Sequence, residues 1–153
     1  MKAVIQRVKN ASVSVDGKVV GSIKKGFLVL LGVYENDTCE DTEILAKKVS
    51  SLRIFCDNED KMNLSLLDVN GSALVISNFT LCADTKKGNR PSFISAKEPI
   101  AANVEYERFC KLLNENGVVD VQKGKFGADM KVELLNDGPV TIILDTEIWR
   151  KRQ

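Results

Sequence analysis

The stretch Phe27-Leu28-Val29-Leu30-Leu31-Gly32-Val33 is a nearly continuous apolar run in a chain of 153 residues. Such a run is typical of a β-strand that is covered on both faces, so it predicts a central strand of a sheet. Upstream, polar and apolar residues alternate over residues 2–8 and 11–15, and Asp16-Gly17 can form a tight hairpin turn into residues 18–23. The chain is therefore predicted to begin with antiparallel strands beside a buried central strand.

Two helices are predicted downstream of this strand. The first covers residues 38–52, where Asp37 or Thr38 can cap the N-terminus and acidic residues occupy the first turn. The second begins at Pro99, a favourable first helical residue, and ends before Gly117. Its apolar residues, at spacings of four, three and four, are Ala102, Tyr106, Phe109 and Leu113.

Further strands are predicted between and after the helices, at residues 53–56, 73–81, 118–122, 131–135 and 140–145. About eight strands with only two helices indicate an α+β fold, in which a strongly curved or barrel-like mixed sheet carries two main helices. The length of 153 residues fits one domain, so residues 1–153 are expected to form a single domain.

The composition excludes several kinds of active site. The chain has no histidine, which removes serine–histidine and cysteine–histidine nucleophiles and zinc sites that use imidazole. The four cysteines form no C-x-x-C pair, and we interpret them as small buried apolar residues. The net charge of +1 limits any nucleic-acid contact to local patches. No stretch has the length of a signal peptide or a membrane span, so a cytoplasmic location is expected.

The first candidate site follows the predicted strand 73–81, where an apolar run changes to the alternating sequence Ser77-Asn78-Phe79-Thr80-Leu81. The end of a buried strand is a place where rigid scaffolds present functional groups. Ser77 and Thr80 would lie on opposite faces of a regular strand, so they meet only if the strand bends. The simpler interpretation is a strand end whose hydroxyl groups satisfy nearby backbone groups.

The second candidate is Asn136-Asp137-Gly138-Pro139. Its residues are typical of a hairpin turn between two strands. Alternatively, a glycine without a side chain, fixed by the following proline, presents backbone carbonyl groups in one direction. Such a surface could test the shape of a substrate.

Local positive charge is the third candidate feature. Lys86, Lys87 and Arg90 share a long loop, residues 82–99. Asp84 is the only acidic residue of this loop before position 98. Other basic residues are Lys123, Lys125, Arg150, Lys151 and Arg152. Each group fits a solvated loop or tail, but together they could bind several phosphates. Phe126 and Met130, near Lys125, could stack on a base or pack in the core.

Four motifs occur in the order and approximate spacing of the D-aminoacyl-tRNA deacylases, also called D-tyrosyl-tRNA deacylases. They are Ser77-Asn78-Phe79-Thr80-Leu81, Lys87-Gly88-Asn89-Arg90-Pro91-Ser92-Phe93, Gly124-Lys125-Phe126-Gly127-Ala128-Asp129-Met130 and Asn136-Asp137-Gly138-Pro139-Val140-Thr141. The opening residues Met1-Lys2-Ala3-Val4-Ile5-Gln6-Arg7-Val8 match as well. The chain resembles this family over essentially its whole length.

The resemblance implies a cytosolic homodimer, without a metal or organic cofactor, that hydrolyses the ester of a D-amino acid or glycine with the 3'-terminal adenosine of tRNA. It implies a cis bond between Gly138 and Pro139, and insertion of this dipeptide into the partner subunit's active site. Arg7 resembles the arginine that holds this element in place. The family motif usually reads Ser-Gln-Phe-Thr, whereas position 78 is asparagine here, so a contact of that side chain could be lost or bridged by water.

An aminoacyl ester is already reactive, so fixed donors could be enough to stabilise the oxyanion. We expect the backbone N–H groups of Phe79 and Thr80 to be these donors. Thr80 has no histidine to activate it as a nucleophile, so a positioning role is expected, with water attacking and the ribose 2'-hydroxyl assisting. Ser77 is expected to act with Thr80. The residues expected to bind the substrate are Asn78, Phe126, Met130, Lys87 and Arg90.

The alternatives are a nucleic-acid-binding module without catalysis, against which the low net charge argues, and a structural or adaptor domain.

Overall fold

The computed structural model describes residues 1–150. Within this range the chain forms eight strands, two α-helices and two short 3-10 helices. The strands are β1 (Lys2–Val15), β2 (Lys18–Ile23), β3 (Gly26–Gly32), β4 (Phe55–Cys56), β5 (Met62–Leu64), β6 (Ser72–Ser77), β7 (Val121–Lys123) and β8 (Lys131–Asp145). The α-helices are α1 (Cys39–Ser51) and α2 (Pro99–Glu115), and the 3-10 helices are Phe79–Cys82 and Thr146–Trp149.

Six strands form one mixed sheet in the order β2-β1-β3-β6-β7, with β8 paired to β1. The long strand β1 pairs antiparallel with β3 through residues 2–8, with β2 through residues 11–15, and with β8 along nearly its whole length. Strands β3, β6 and β7 are parallel to one another. The predicted α+β single domain with a strongly curved, barrel-like mixed sheet and two main helices is confirmed.

The apolar run that predicts a central strand is buried on both faces of the sheet. Phe27 and Val29 belong to the main core, which lies between the sheet and the two helices, whereas Leu28 belongs to a second cluster on the opposite face. Strand β3 lies between β1 and β6, so its predicted central position is confirmed. Both helices begin and end within two residues of their predicted bounds, and among residues 1–150 neither is long and apolar enough to cross a membrane.

Several predicted strands have different bounds in the structure. Residues 2–15 form one strand rather than two, and β5, which lies outside the predicted strands, pairs with β4. The strand predicted at 73–81 ends at Ser77, and the strand predicted at 118–122 is shifted to Val121–Lys123. The two strands predicted at 131–135 and 140–145 are one continuous strand, β8.

The prediction that all four cysteines are buried is wrong for two of them. Cys39 and Cys56 are exposed, whereas Cys82 and Cys110 are buried, and all four are free thiols. Burial raises the pKa of Cys82 to about 11 and that of Cys110 to about 12. The two buried thiols are therefore protonated near neutral pH and behave as the expected apolar residues.

Candidate active site

Strand β6 ends at Ser77 because the chain turns there over its neighbour β3. The Asn78 backbone N–H donates a hydrogen bond to the Leu31 carbonyl (2.8 Å), and Phe79–Cys82 then forms a 3-10 helix. The turn packs closely on Gly32, where an added Cβ would lie 2.9 Å from the Leu81 Cβ. This is the bend that Ser77 and Thr80 need in order to face the same space.

Ser77 and Thr80 line one cavity of about 920 Å³. Asn78, Phe79, Phe126 and Met130 also line it, so the structure brings six of the predicted site residues together. The rest of its wall is largely apolar and comes from β3, β6, β8 and the start of α2. Arg7, Lys87, Arg90, Gly138 and Pro139, all within the described range, do not line this cavity.

The turn presents polar groups to the cavity. Within residues 1–150, the backbone N–H groups of Phe79 and Thr80 have no hydrogen-bond acceptor. The Thr80 hydroxyl donates a hydrogen bond to the Asn78 side-chain oxygen. The shorter amide at position 78 therefore contacts a hydroxyl of its own motif.

Phe126 and Met130 serve both the core and the cavity wall. The Phe126 ring lies 5.9 Å from that of Tyr106, and Phe126 packs against the main core. Met130 packs against the second cluster, close to Gly124, where an added Cβ would lie 2.6 Å from the Met130 sulfur. Each side chain is half-buried, so it is held in place while part of it remains accessible.

The segment around Gly138 is a projection from strand β8 and not a hairpin turn. In the β1–β8 register, Gln6 pairs with Thr141 and Val8 pairs with Asn136, so residues 137–140 lie opposite Arg7 alone. Both ends of the segment thus pair with the same strand, β1. The Gly138–Pro139 bond is cis, and both residues are exposed.

Arg7 contacts the base of this projection, residues 137–140. Its Nε donates to the Asp137 carbonyl (2.8 Å), and its Nη1 donates to the Ile54 carbonyl (2.7 Å) just before β4. The Arg7 Nε also lies 3.8 Å from the Asp137 carboxylate. Arg7 therefore links the projection to the small β4–β5 sheet.

The predicted basic residues lie in different surroundings. Hydrogen bonds between the backbones of Asp84 and Ser92 close a loop that carries Lys86, Lys87 and Arg90, all exposed. These three side chains form no ion pair with any other residue of the described range.

Two of the other predicted basic positions, Lys123 and Arg150, are less available because they form ion pairs. Lys123 pairs with Glu107 (2.8 Å), and Arg150 pairs with Asp37 and Asp41. Lys151 and Arg152 lie outside the described residues.

Several residues of the cavity wall were not predicted, among them Gln6, Phe93 and Glu98. Gln6 had a signal, because it is a polar residue that shares its strand face with Val4 and Val8. Phe93 stands in a motif already noted and packs edge-to-face on Phe79, at 5.1 Å between ring centroids. Glu98 accepts hydrogen bonds from the backbone N–H groups of Ile100 and Ala101 and so caps α2, a role its residue type does not predict, because N-cap positions favour Ser, Thr, Asp and Asn.

Comparison with known proteins places this geometry in a family. The family described as D-Tyr-tRNA(Tyr) deacylase matches residues 4–145. A protein of Fusobacterium nucleatum named D-aminoacyl-tRNA deacylase is 57% identical over 147 residues, which cover 96% of this chain and 97% of that protein. A protein of Fervidobacterium nodosum with the same name is 56% identical over 96% of this chain and 98% of its own length.

Two solved structures have the same fold. One, named c-Myc DNA Unwinding Element Binding Protein, has a TM-score of 0.90 and 40% identity, covering 95% of this chain and 98% of that one. The other, described as a probable eukaryotic D-amino acid tRNA deacylase, has a TM-score of 0.80 at 17% identity, covering 94% and 97%. The predictions of the family and of its enzyme class are confirmed. The chain belongs to the D-aminoacyl-tRNA deacylase family.

Proposed function

We propose that the protein hydrolyses the ester that joins a D-amino acid, or glycine, to the 3'-terminal adenosine of tRNA. The proposal rests on Phe79 and Thr80, two residues that line the cavity and whose backbone N–H groups have no acceptor within residues 1–150. Fixed donors of this kind stabilise the oxyanion that forms during acyl transfer, at about 3 to 4 kcal/mol for one donor. A cytoplasmic location is expected for an enzyme with this substrate.

Water attacks the carbonyl carbon of the ester in this mechanism, and the carbonyl oxygen takes up the negative charge between the two N–H groups. The ribose 2'-hydroxyl of the substrate assists the proton transfer to the departing 3'-oxygen. Thr80 and Ser77 position the ester and the water through their hydroxyl groups. Thr80 is not the nucleophile, because its hydroxyl contacts an amide, which does not accept a proton near neutral pH.

Gly138 and Pro139 select the handedness of the substrate by excluding L-aminoacyl esters. Their carbonyl groups approach the α-carbon, so an L side chain collides with the backbone while a D side chain points away. Hydrogen fits on either side, which makes glycine a second substrate. The contacts of Arg7 support this role, since they hold the base of the projection against two other elements.

A homodimer completes the site, because the projection of one subunit enters the cavity of the other. Two observations support this arrangement. Gly138 and Pro139, in the middle of the projection, are exposed and do not line the cavity of their own chain. Among the described residues, strand β8 pairs on one side only, with β1, and it carries the exposed apolar residues Leu135 (52%) and Ile143 (65%). A two-fold dimer would bury this edge and exchange the projections symmetrically.

In this proposal, basic residues and cavity-wall residues together bind the 3' end of the tRNA. Lys87 and Arg90, which have no acidic partner in the described range, contact phosphates of the tRNA backbone. Phe126 and Met130 contact the terminal base from the cavity wall, together with Asn78. No metal or organic cofactor takes part.

Incubation with D-Tyr-tRNA and L-Tyr-tRNA tests the activity. We expect release of free amino acid from the D form and from glycyl-tRNA, and little from the L form. Cleavage of the L form as fast as the D form would remove the proposed selection.

The second candidate function is nucleic-acid binding without catalysis. It is favoured by the name of one solved structure, c-Myc DNA Unwinding Element Binding Protein. Binding of tRNA with no release of amino acid would support that candidate instead.

A further inference from the structure

Besides Arg7, a second side chain holds the projection in place, that of Asn136. Its Nδ2 donates a hydrogen bond to the Val140 carbonyl (3.1 Å), and the Val140 backbone N–H donates to the Asn136 Oδ1 (2.9 Å). One side chain thus satisfies both backbone groups of Val140.

Val140 needs this partner because the strand pairing is interrupted there. Residues 137–140 lie opposite Arg7 alone, so Val140 has no partner in the β1–β8 register. The amide of asparagine carries one acceptor and a donor group, as a peptide unit does. Asn136 therefore takes the place of the missing backbone partner and closes the base of the projection.

The position of Val140 in turn limits the position of Gly138. A Cβ added at Gly138 would lie 2.4 Å from the Val140 nitrogen and 2.7 Å from its Cγ2. The Gly138 backbone therefore packs directly on Val140, and a displacement of Val140 moves the Gly138 carbonyl. Arg7 contacts the same segment on the other side, at Asp137.

We propose that Asn136 is a positioning residue for chiral selection. It fixes Val140, and through Val140 the carbonyl groups of Gly138 and Pro139. This inference rests on the proposed function, in which those carbonyl groups sort D from L aminoacyl esters.

The variant Asn136→Asp tests the inference. It keeps an acceptor for the Val140 N–H but replaces the donor to the Val140 carbonyl with a carboxylate oxygen. The matched control is Asn10→Asp on strand β1, because the exposed Asn10 side chain has no hydrogen bond within the described range. The measured quantity is the ratio of kcat/KM for D-Tyr-tRNA to that for L-Tyr-tRNA. We expect this ratio to fall about tenfold or more in Asn136→Asp and to stay unchanged in Asn10→Asp.

A third variant, Gly138→Ala, separates failure of the inference from failure of the proposed function, because its Cβ forces the backbone to shift. If Gly138→Ala lowers the ratio and Asn136→Asp does not, Asn136 has no positioning role. If neither variant lowers the ratio, chiral selection by the projection is wrong as well.

Hydrogen exchange of the Val140 amide in the unmodified protein tests the contact with Asn136 without any variant. Slow exchange supports the inference, and exchange as fast as in an open loop would overturn it.

Discussion

At Thr80, the hydroxyl donates to an amide oxygen, and the backbone N–H groups of Phe79 and Thr80 have no acceptor in the part of the chain that the structure describes. The sequence could predict this chemistry in part, because a chain without histidine cannot activate a hydroxyl in the usual way. It could not predict that Asn78 is the acceptor. In a regular strand, residues 78 and 80 share a face, but their contact in the structure depends on a turn that packs on Gly32.

We predict that Thr80→Ala retains measurable deacylation. Loss of one positioning hydrogen bond, about 1.4 to 2.7 kcal/mol, corresponds to a reduction of kcat by about 10- to 100-fold. Steady-state kinetics with D-Tyr-tRNA measures this, and Thr80→Ser, which keeps the hydroxyl, is the control. Complete loss of turnover with intact binding, together with an acyl adduct trapped on Thr80 of the unmodified protein, would show that Thr80 is the nucleophile.

Asp41 makes stability depend on pH. Burial alone would raise its pKa, but hydrogen bonds from Arg150 and Thr38 outweigh burial and lower the pKa to about 2. The carboxylate therefore stabilises the fold above the unfolded pKa of 3.8, and this contribution is lost as the pH falls towards 2.

We predict that Asp41→Asn lowers the free energy of unfolding by about 1 to 2 kcal/mol at neutral pH. The difference from the unmodified protein should shrink between about pH 4 and pH 2, because the parent carboxylate becomes protonated there. Urea unfolding across this range measures it. Glu40→Gln, an exposed acid in the same helical turn, is the control. A difference that does not change with pH would contradict the assignment.

At the scale of elements, local sequence signals predicted the helices and the central strand, whose identification does not depend on which strand pairs with them. Helical spacing and caps placed α1 and α2 within two residues, and the apolar run 27–33 identified the central strand. The projection in β8 could not be placed in this way. Asp137-Gly138-Pro139 has the same turn chemistry in a hairpin and in a projection, and the two differ only in whether both flanking strands pair with β1.

Helix α2 is tied to strand β6 by Tyr106, whose buried hydroxyl donates to the Val75 carbonyl (2.7 Å). We predict that Tyr106→Phe lowers the free energy of unfolding by about 1 kcal/mol, since the carbonyl still accepts the Gly124 N–H (3.2 Å). Thermal or urea unfolding measures this. Tyr34→Phe, which removes a longer, half-buried bond to the Leu81 carbonyl (3.3 Å), should cost less. An equal loss in both variants would argue against the Tyr106 contact.

At the scale of the whole molecule, the proposed site combines a cavity with a projection whose residues Gly138 and Pro139 do not line the cavity of their own chain. The single sequence carries no local signal for an assembly, and the family resemblance supplied that expectation. Within residues 1–150, β8 pairs with β1 alone and carries exposed apolar residues, and the proposed dimer would cover this edge.

We predict that Ile143→Lys converts the proposed dimer into a monomer and abolishes most of the deacylation. A charge at this exposed apolar position on β8 would be buried without a partner in the proposed interface. Analytical ultracentrifugation and kinetics measure the two effects together. Val119→Lys, an exposed position beside β7 at the other side of the sheet, is the control. A monomeric variant with full activity would show that the site is complete within one chain.

The basic loop closed by Asp84 and Ser92 should affect the binding of tRNA and not the chemistry. We predict that Lys87→Ala and Arg90→Ala each raise KM without changing kcat. Each should also lower the salt dependence of log KM by a slope of about 0.7 to 0.9. Lys61→Ala, which removes a lysine paired with Glu59, is the control. The same increase in KM with an aminoacyl-adenosine, which has no stem phosphates, would contradict phosphate binding.

In the proposed mechanism, main-chain groups both stabilise the oxyanion and exclude L aminoacyl groups. A crystal structure with a non-hydrolysable D-aminoacyl analogue of the terminal adenosine tests both roles. We expect the acyl oxygen at about 2.7 to 3.1 Å from the N–H groups of Phe79 and Thr80. We expect the α-carbon against the carbonyl groups of Gly138 and Pro139 from the second subunit. An analogue held only by side chains, with the projection in solvent, would contradict the account.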